Sequence, residues 1–118
     1  VEVPKEGTSI LVDIYRTPTA SKDEAFWTKA VRAIATAIRC TTGETLSKRY
    51  RPHGLTVLAV ISMSHIAVHT WPEHDFVALD VYTCQRLTAE DMARLELVVS
   101  ALGPQYTISA SDRGRALP

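Results

Sequence analysis

The sequence predicts an α+β fold: a two-layer sandwich in which an antiparallel sheet carries two helices on one face. Three observations lead there. Apolar residues alternate with period two in most segments and recur at three- and four-residue spacing in two. The resulting order is β-α-β-β-β-β-α-β. The central connections are hairpin-sized, too short for the crossovers that a parallel sheet requires. With 118 residues, 46% apolar and 22% charged, the chain suits one domain, 1–118, around one core.

The first strand is Ser9–Tyr15, with Ile10, Val12 and Ile14 on one face and Leu11, Asp13 and Tyr15 on the other. Thr17-Pro18-Thr19 ends it, since proline donates nothing to a ladder. Ser21 and Glu24 have capping-box spacing and open a helix, whose stripe is Phe26, Ala30, Ile34, Ala37 and Ile38. Gly43 suits its stop. Glu44–Tyr50 reads as a strand, and Leu55–Met63, nearly continuous in apolar residues, as a central one. His65–Trp71 and Phe76–Thr83 follow, joined by the turn-rich Pro72-Glu73-His74-Asp75. Thr88 and Asp91 make a second capping box ahead of Met92, Leu95, Val98, Val99 and Leu102. Gly103-Pro104 stops that helix, and Tyr106–Ser111 is the last strand.

Charge and composition narrow the function. Thirteen basic and thirteen acidic side chains cancel, which argues against a nucleic-acid binder and against a polybasic membrane-surface protein. The longest apolar run, Leu55–Ile61, is far too short to span a bilayer, and the polar stretch Val1–Gly7 with Pro4 does not read as a secretory signal. Two cysteines, Cys40 and Cys84, are too few for a disulfide framework and fit a reducing compartment, so a cytoplasmic location is expected.

Reactive side chains concentrate between Ser62 and Cys84: Ser62, Ser64, His65, His69, Glu73, His74, Asp75, Asp80 and Cys84. No zinc spacing occurs among them, because there is no CxxC and His65 with His69 falls on a strand; no metal site is expected. The glycines stand apart, so no phosphate-cradling loop is present.

The run Ser62-Met63-Ser64-His65-Ile66-Ala67-Val68-His69-Thr70-Trp71-Pro72-Glu73, then Asp80-Val81-Tyr82-Thr83-Cys84, resembles the signature of the small prokaryotic S-adenosylmethionine decarboxylases. Arg49-Tyr50-Arg51-Pro52 with Gly54, and Arg113-Gly114-Arg115 near the C-terminus, are similar to further motifs of that family. The resemblance implies a proenzyme that cuts its own backbone between Met63 and Ser64. Ser64 then becomes a covalent pyruvoyl group, which holds the substrate amine as a Schiff base and takes up the electrons of decarboxylation. It assigns His69 as the base for cleavage, Thr56 as a hydroxyl that assists, and Cys84 as the acid that protonates the product carbanion. It also places Glu73 on the ribose hydroxyls and Tyr50 against the adenine of S-adenosylmethionine, in a homodimer that feeds polyamine (spermidine) synthesis.

The sequence departs from that pattern at Met63, where the family carries glutamate, and at Lys48, where it carries histidine. Two alternatives stand beside the decarboxylase. One is a homologue turned to another amino acid, ornithine or arginine, supported by these departures and opposed by Glu73, since such substrates lack ribose; the other is an uncut paralogue that binds a nucleoside or a sister subunit. One geometric demand is already visible. Ser64 and His69 lie five residues apart, so in a straight strand they face opposite sides, and the chain near residue 64 must turn for them to meet.

Overall fold

The structure, a computed structural model, describes residues 5–115; the first four residues of the polar Val1–Gly7 stretch lie outside them. Six strands form one antiparallel sheet: β1 (Gly7–Tyr15), β2 (Thr42–Arg49), β3 (Leu55–Ile61), β4 (Ser64–Trp71), β5 (Phe76–Thr83) and β6 (Gln105–Arg113). Their spatial order is β2-β3-β4-β5-β1-β6. The helices α1 (Glu24–Ala37) and α2 (Ala89–Leu102) pack on each other and cover one face, so the predicted two-layer sandwich is what forms.

Alternation decides which residues enter the core. Val57 and Ile61 of β3, Ile66 and Val68 of β4, and Leu79 of β5 point at the helices and are almost fully buried. They meet Trp27, Val31 and Ile34 of α1 and Leu95 and Val99 of α2. Cys40 belongs to this core as a small apolar side chain. The opposite face is bare. Leu11 is 54%, Leu46 69%, Leu58 43% and Val60 58% exposed, an apolar surface that one chain leaves uncovered.

Three local expectations are corrected. Helix α1 is capped by Asp23, whose carboxylate accepts from Phe26 N–H at 3.0 Å, and not by Ser21. Pro18 opens a 3-10 turn, Pro18–Ser21, that uses Ser21 as its last residue, so the next acceptor along the chain takes the cap. The same helix stops at Arg39, which adopts a left-handed φ of 61°, four residues before Gly43. Gly43 instead lies inside β2, where an added Cβ would sit 3.1 Å from the Val60 carbonyl oxygen. Finally, β3 ends at Ile61, because Ser62 and Met63 form a two-residue turn that returns the chain as β4, with Ile61 paired to Ser64.

Helix α2 follows its sequence signal fully: the Thr88 hydroxyl accepts from Asp91 N–H and the Asp91 carboxylate accepts from Thr88 N–H. Among the described residues, no helix is long and apolar enough to cross a membrane.

Candidate active site

The predicted site residues fall into two groups at opposite ends of the β3–β4 hairpin. The first group surrounds one peptide bond. Met63, in the turn, holds a left-handed φ of 62°, a region that costs a side-chain-bearing residue about 1 kcal/mol and is far commoner for glycine. Directly after it, Ser64 starts β4 with its side chain on the helix side, 8% exposed. Its hydroxyl accepts from Cys84 N–H at 3.0 Å and donates to the Ser62 carbonyl at 3.3 Å. The Cys84 thiol donates to the Met63 carbonyl at 3.3 Å. Cys84 reaches this bond because β5 runs beside β4 and ends one residue earlier, at Thr83. A small cleft of about 160 Å³ opens beside it, walled in part by Thr8, Gln85, Arg86 and Arg115.

The second group lines a cleft of about 340 Å³ at the far end, where Tyr50, Thr56, His69 and Glu73 all meet. Thr56 and His69 are cross-strand partners on the open face, and the Thr56 hydroxyl lies 3.0 Å from His69 Nδ1. Thr56 also donates to the Tyr50 hydroxyl at 3.3 Å. A hydroxyl has one hydrogen, so with that bond made it accepts from Nδ1–H, and the lone pair of His69 falls on Nε2. Glu73 is exposed in a short 3-10 turn, Pro72–His74, at the cleft edge. Lys48 Nζ sits 5.4 Å over the Tyr50 ring, a cation on the aromatic face the resemblance gives to adenine.

The turn that was expected to bring His69 to Ser64 does not do so. It lies before Ser64, and β4 is regular from Ser64 to Trp71, so the two side chains stay on opposite faces. Five residues of strand put them about 16 Å apart along the chain. Within one chain, His69 bonds the Thr56 hydroxyl and does not reach the Met63–Ser64 bond.

Trp71 was part of the motif but received no role from it. The structure shows it 40% exposed on the wall of the far cleft, its ring 6.2 Å from that of His69 and 5.4 Å from that of Phe76. Period-two alternation from His69 was the available signal, since it places Trp71 on the same face. Arg113 donates to Ser9 Oγ at 2.9 Å and lies over Tyr82, while Arg115 pairs with Asp112 of its own chain. Among the described residues, no group of three or more His, Cys, Asp or Glu side chains could hold a metal ion.

The sequence profile of the S-adenosylmethionine decarboxylases matches residues 8–114, nearly the whole chain. The chain belongs to the S-adenosylmethionine decarboxylase family. It is 44% identical over 88 residues to the S-adenosylmethionine decarboxylase proenzyme of Pyrobaculum neutrophilum, a match covering 71% of this chain and 68% of that one. With the proenzyme of Prochlorococcus marinus it shares 34% identity over 98 residues, 82% of this chain and 78% of the relative. A match to proenzyme 2 of Bacillus anthracis, 45% identical over 58 residues, spans 49% of this chain and 46% of that one. The crystal structure of adenosylmethionine decarboxylase from Aquifex aeolicus superposes with a TM-score of 0.75 at 24% identity, over 94% of this chain and 92% of that one, which establishes the shared fold. Membership of this family favours the decarboxylase over the two alternatives that Met63 and Lys48 left open.

Proposed function

We propose that this chain is a self-cleaving decarboxylase of S-adenosylmethionine, making the aminopropyl donor for polyamine synthesis, and that Ser64 is the source of its pyruvoyl group. The observation that carries this reading is the convergence on one peptide bond: a left-handed residue before it, a buried serine after it and a thiol on its carbonyl. Of these groups Ser64 is the one from which such a cofactor would come, while Met63 and Cys84 bear on the bond that must break. The pyruvoyl ketone supplies an electron sink for decarboxylation once formed.

Formation uses the chain's own atoms. Ser64 Oγ attacks the Met63 carbonyl carbon; the C–N bond breaks as the C–O bond forms, leaving an ester and a free amine on residue 64. The thiol hydrogen bond from Cys84 polarises that carbonyl and stabilises the charge that develops on its oxygen. The left-handed strain at Met63 is released when the peptide opens. A base removes the α-proton of residue 64, which expels the Met63 carboxylate and leaves a dehydroalanine. Water hydrolyses it, releasing ammonia and leaving the ketone.

His69 is the base in this reading, and a second copy of the chain brings it. The bare apolar sheet face, with a depression of about 540 Å³ lined by Leu46, Leu58 and Val60, is the surface on which two copies would pack. A two-fold axis lying between the faces and across the strands sets the Met63–Ser64 end of one copy against the far cleft of the other. The partner subunit's His69 then stands near Ser64 with its Nε2 lone pair available, beside a cleft in which Tyr50 stacks on adenine and Glu73 accepts from ribose hydroxyls. Such a homodimer contains two complete sites. Cys84, left beside residue 64 after cleavage, protonates the product carbanion. Neither cysteine is in a disulfide, which suits the reducing cytoplasm.

Intact mass under denaturing conditions tests the reading. Two fragments are expected, one ending at Met63 and one beginning with a pyruvoyl group at position 64. A single uncut mass that persists on long incubation would overturn it.

A further inference from the structure

The reading above gives Cys84 a place on the Met63 carbonyl, and a separate set of contacts explains how a loop residue is kept there. Cys84 begins the connection between β5 and α2, which has no ladder of its own. Arg39 grips that connection at the two residues following Cys84. Its Nη2 donates to the Arg86 carbonyl at 3.2 Å, and its own carbonyl accepts from Gln85 Nε2 at 3.3 Å. The same guanidinium forms a two-point bond with Asp91, Nε to Oδ1 and Nη2 to Oδ2, both at 2.9 Å. Asp91 is fully buried and fixed in turn by Thr88 and by Arg94, whose Nε also donates to the Ala37 carbonyl.

The unusual backbone at Arg39 belongs to this arrangement. Its φ of 61° turns the carbonyl toward Gln85 and the side chain toward Asp91 at the same time. On the other side, the buried Thr83 hydroxyl accepts from Gln85 N–H at 3.0 Å. The residue directly after Cys84 is therefore held through both its backbone and its side chain. The planar fork of arginine is what allows two bonds to Asp91 and a third to Arg86; a lysine ammonium would keep the charge and lose that geometry.

We propose that Arg39 is a positioning residue for the reaction, clamping the Gln85 side chain and the Arg86 carbonyl so that the Cys84 thiol stays on the Met63 carbonyl. The proposal rests on the role given to Cys84 above.

Its test uses Arg39→Lys and Gln85→Met, which keep a cation against Asp91 or leave Arg39 untouched, with Arg39→Ala as the severe variant. Two rates are read in each: self-cleavage followed by mass, and alkylation of Cys84 by iodoacetamide in the uncut Ser64→Ala background, with buried Cys40 as internal control. Both mild variants are expected to remain folded, to cleave about tenfold more slowly or worse, and to alkylate Cys84 several-fold faster as the thiol leaves its carbonyl. Arg39→Lys should fall between wild type and Arg39→Ala. Cleavage within twofold of wild type, together with unchanged alkylation in both mild variants, would overturn the clamp. Cys84→Ser separates the two claims. If it cleaves at the wild-type rate while the clamp variants still expose the thiol, the role of Cys84 in cleavage fails and the clamp stands. The alkylation arm needs no cleavage at all, so it reads the clamp even in a chain that never cuts itself.

Discussion

The two ends of the β3–β4 hairpin are built differently. At the turn, reactive groups crowd one strained peptide and are largely shielded: Ser64 is buried, and Cys84 is held by its neighbours. At the opposite end, Tyr50, Thr56, His69, Trp71 and Glu73 stand open around a cleft, linked by hydroxyl and ring contacts. One end has a strained peptide, a buried serine and a thiol on the peptide carbonyl. The other has His69, aromatic rings and the Glu73 carboxylate around a cleft. The difference teaches that the residues of the proposed site lie in two groups that one chain does not bring together.

The comparison can be broken most sharply at Ser64. Ser64→Ala removes the nucleophile, so intact mass should show no fragment at any time, while the cleft end, some strand length away, keeps its ability to bind. Next comes Tyr50→Ala, which should raise KM for S-adenosylmethionine about tenfold or more, as expected on losing one aromatic–base stack, and slow cleavage only a few-fold, through loss of the hydroxyl to which Thr56 donates. A cleavage defect as large as the binding defect would mean that the two ends do not divide the work in this way.

Stability gives smaller effects. Hydrogen bonds from Arg39 hold the Asp91 carboxyl well below the usual carboxylate range, with further help from Thr88, and outweigh the burial that opposes ionisation. A carboxylate whose folded pKa lies below its unfolded one stabilises the fold above the unfolded value and loses that contribution as pH falls toward the folded one. Asp91→Asn should therefore cost about 2–3 kcal/mol near neutral pH, with the gap to wild type closing below about pH 4 in thermal unfolding. The smallest effect is expected at the turn itself. Met63→Gly should stabilise the uncut chain by about 1 kcal/mol and slow cleavage a few-fold, since it relieves the strain that opening the peptide releases.

Much of this layout was legible in the sequence. Alternation identifies the sheet face for His69 and for Ser64, and so exposes their conflict in the sequence itself. The motif named the residues at both ends of the hairpin. The Ser62–Met63 turn was hidden because it contains neither glycine nor asparagine and continues an apolar run, so it read as more strand. The stop of α1 was missed for a different reason. Arg39 holds a left-handed backbone while its side chain and carbonyl bond Asp91 and Gln85, distant in sequence, and no local pattern carries that information. The proposed pairing of the two ends across a dimer would likewise depend on a second copy, which periodicity within one chain does not describe.

The most direct test mixes two damaged copies. Ser64→Ala and His69→Ala chains, distinguished by a mass tag, should each stay uncut alone over the time wild type needs to finish. Unfolded and refolded together, they should form mixed dimers in which one site has both an intact Ser64 and the partner subunit's His69. The account predicts that the His69→Ala copies, and only those, are then cut between Met63 and Ser64. If they remain whole in the mixture, or if His69→Ala cuts itself at the wild-type rate without help, the shared site is contradicted.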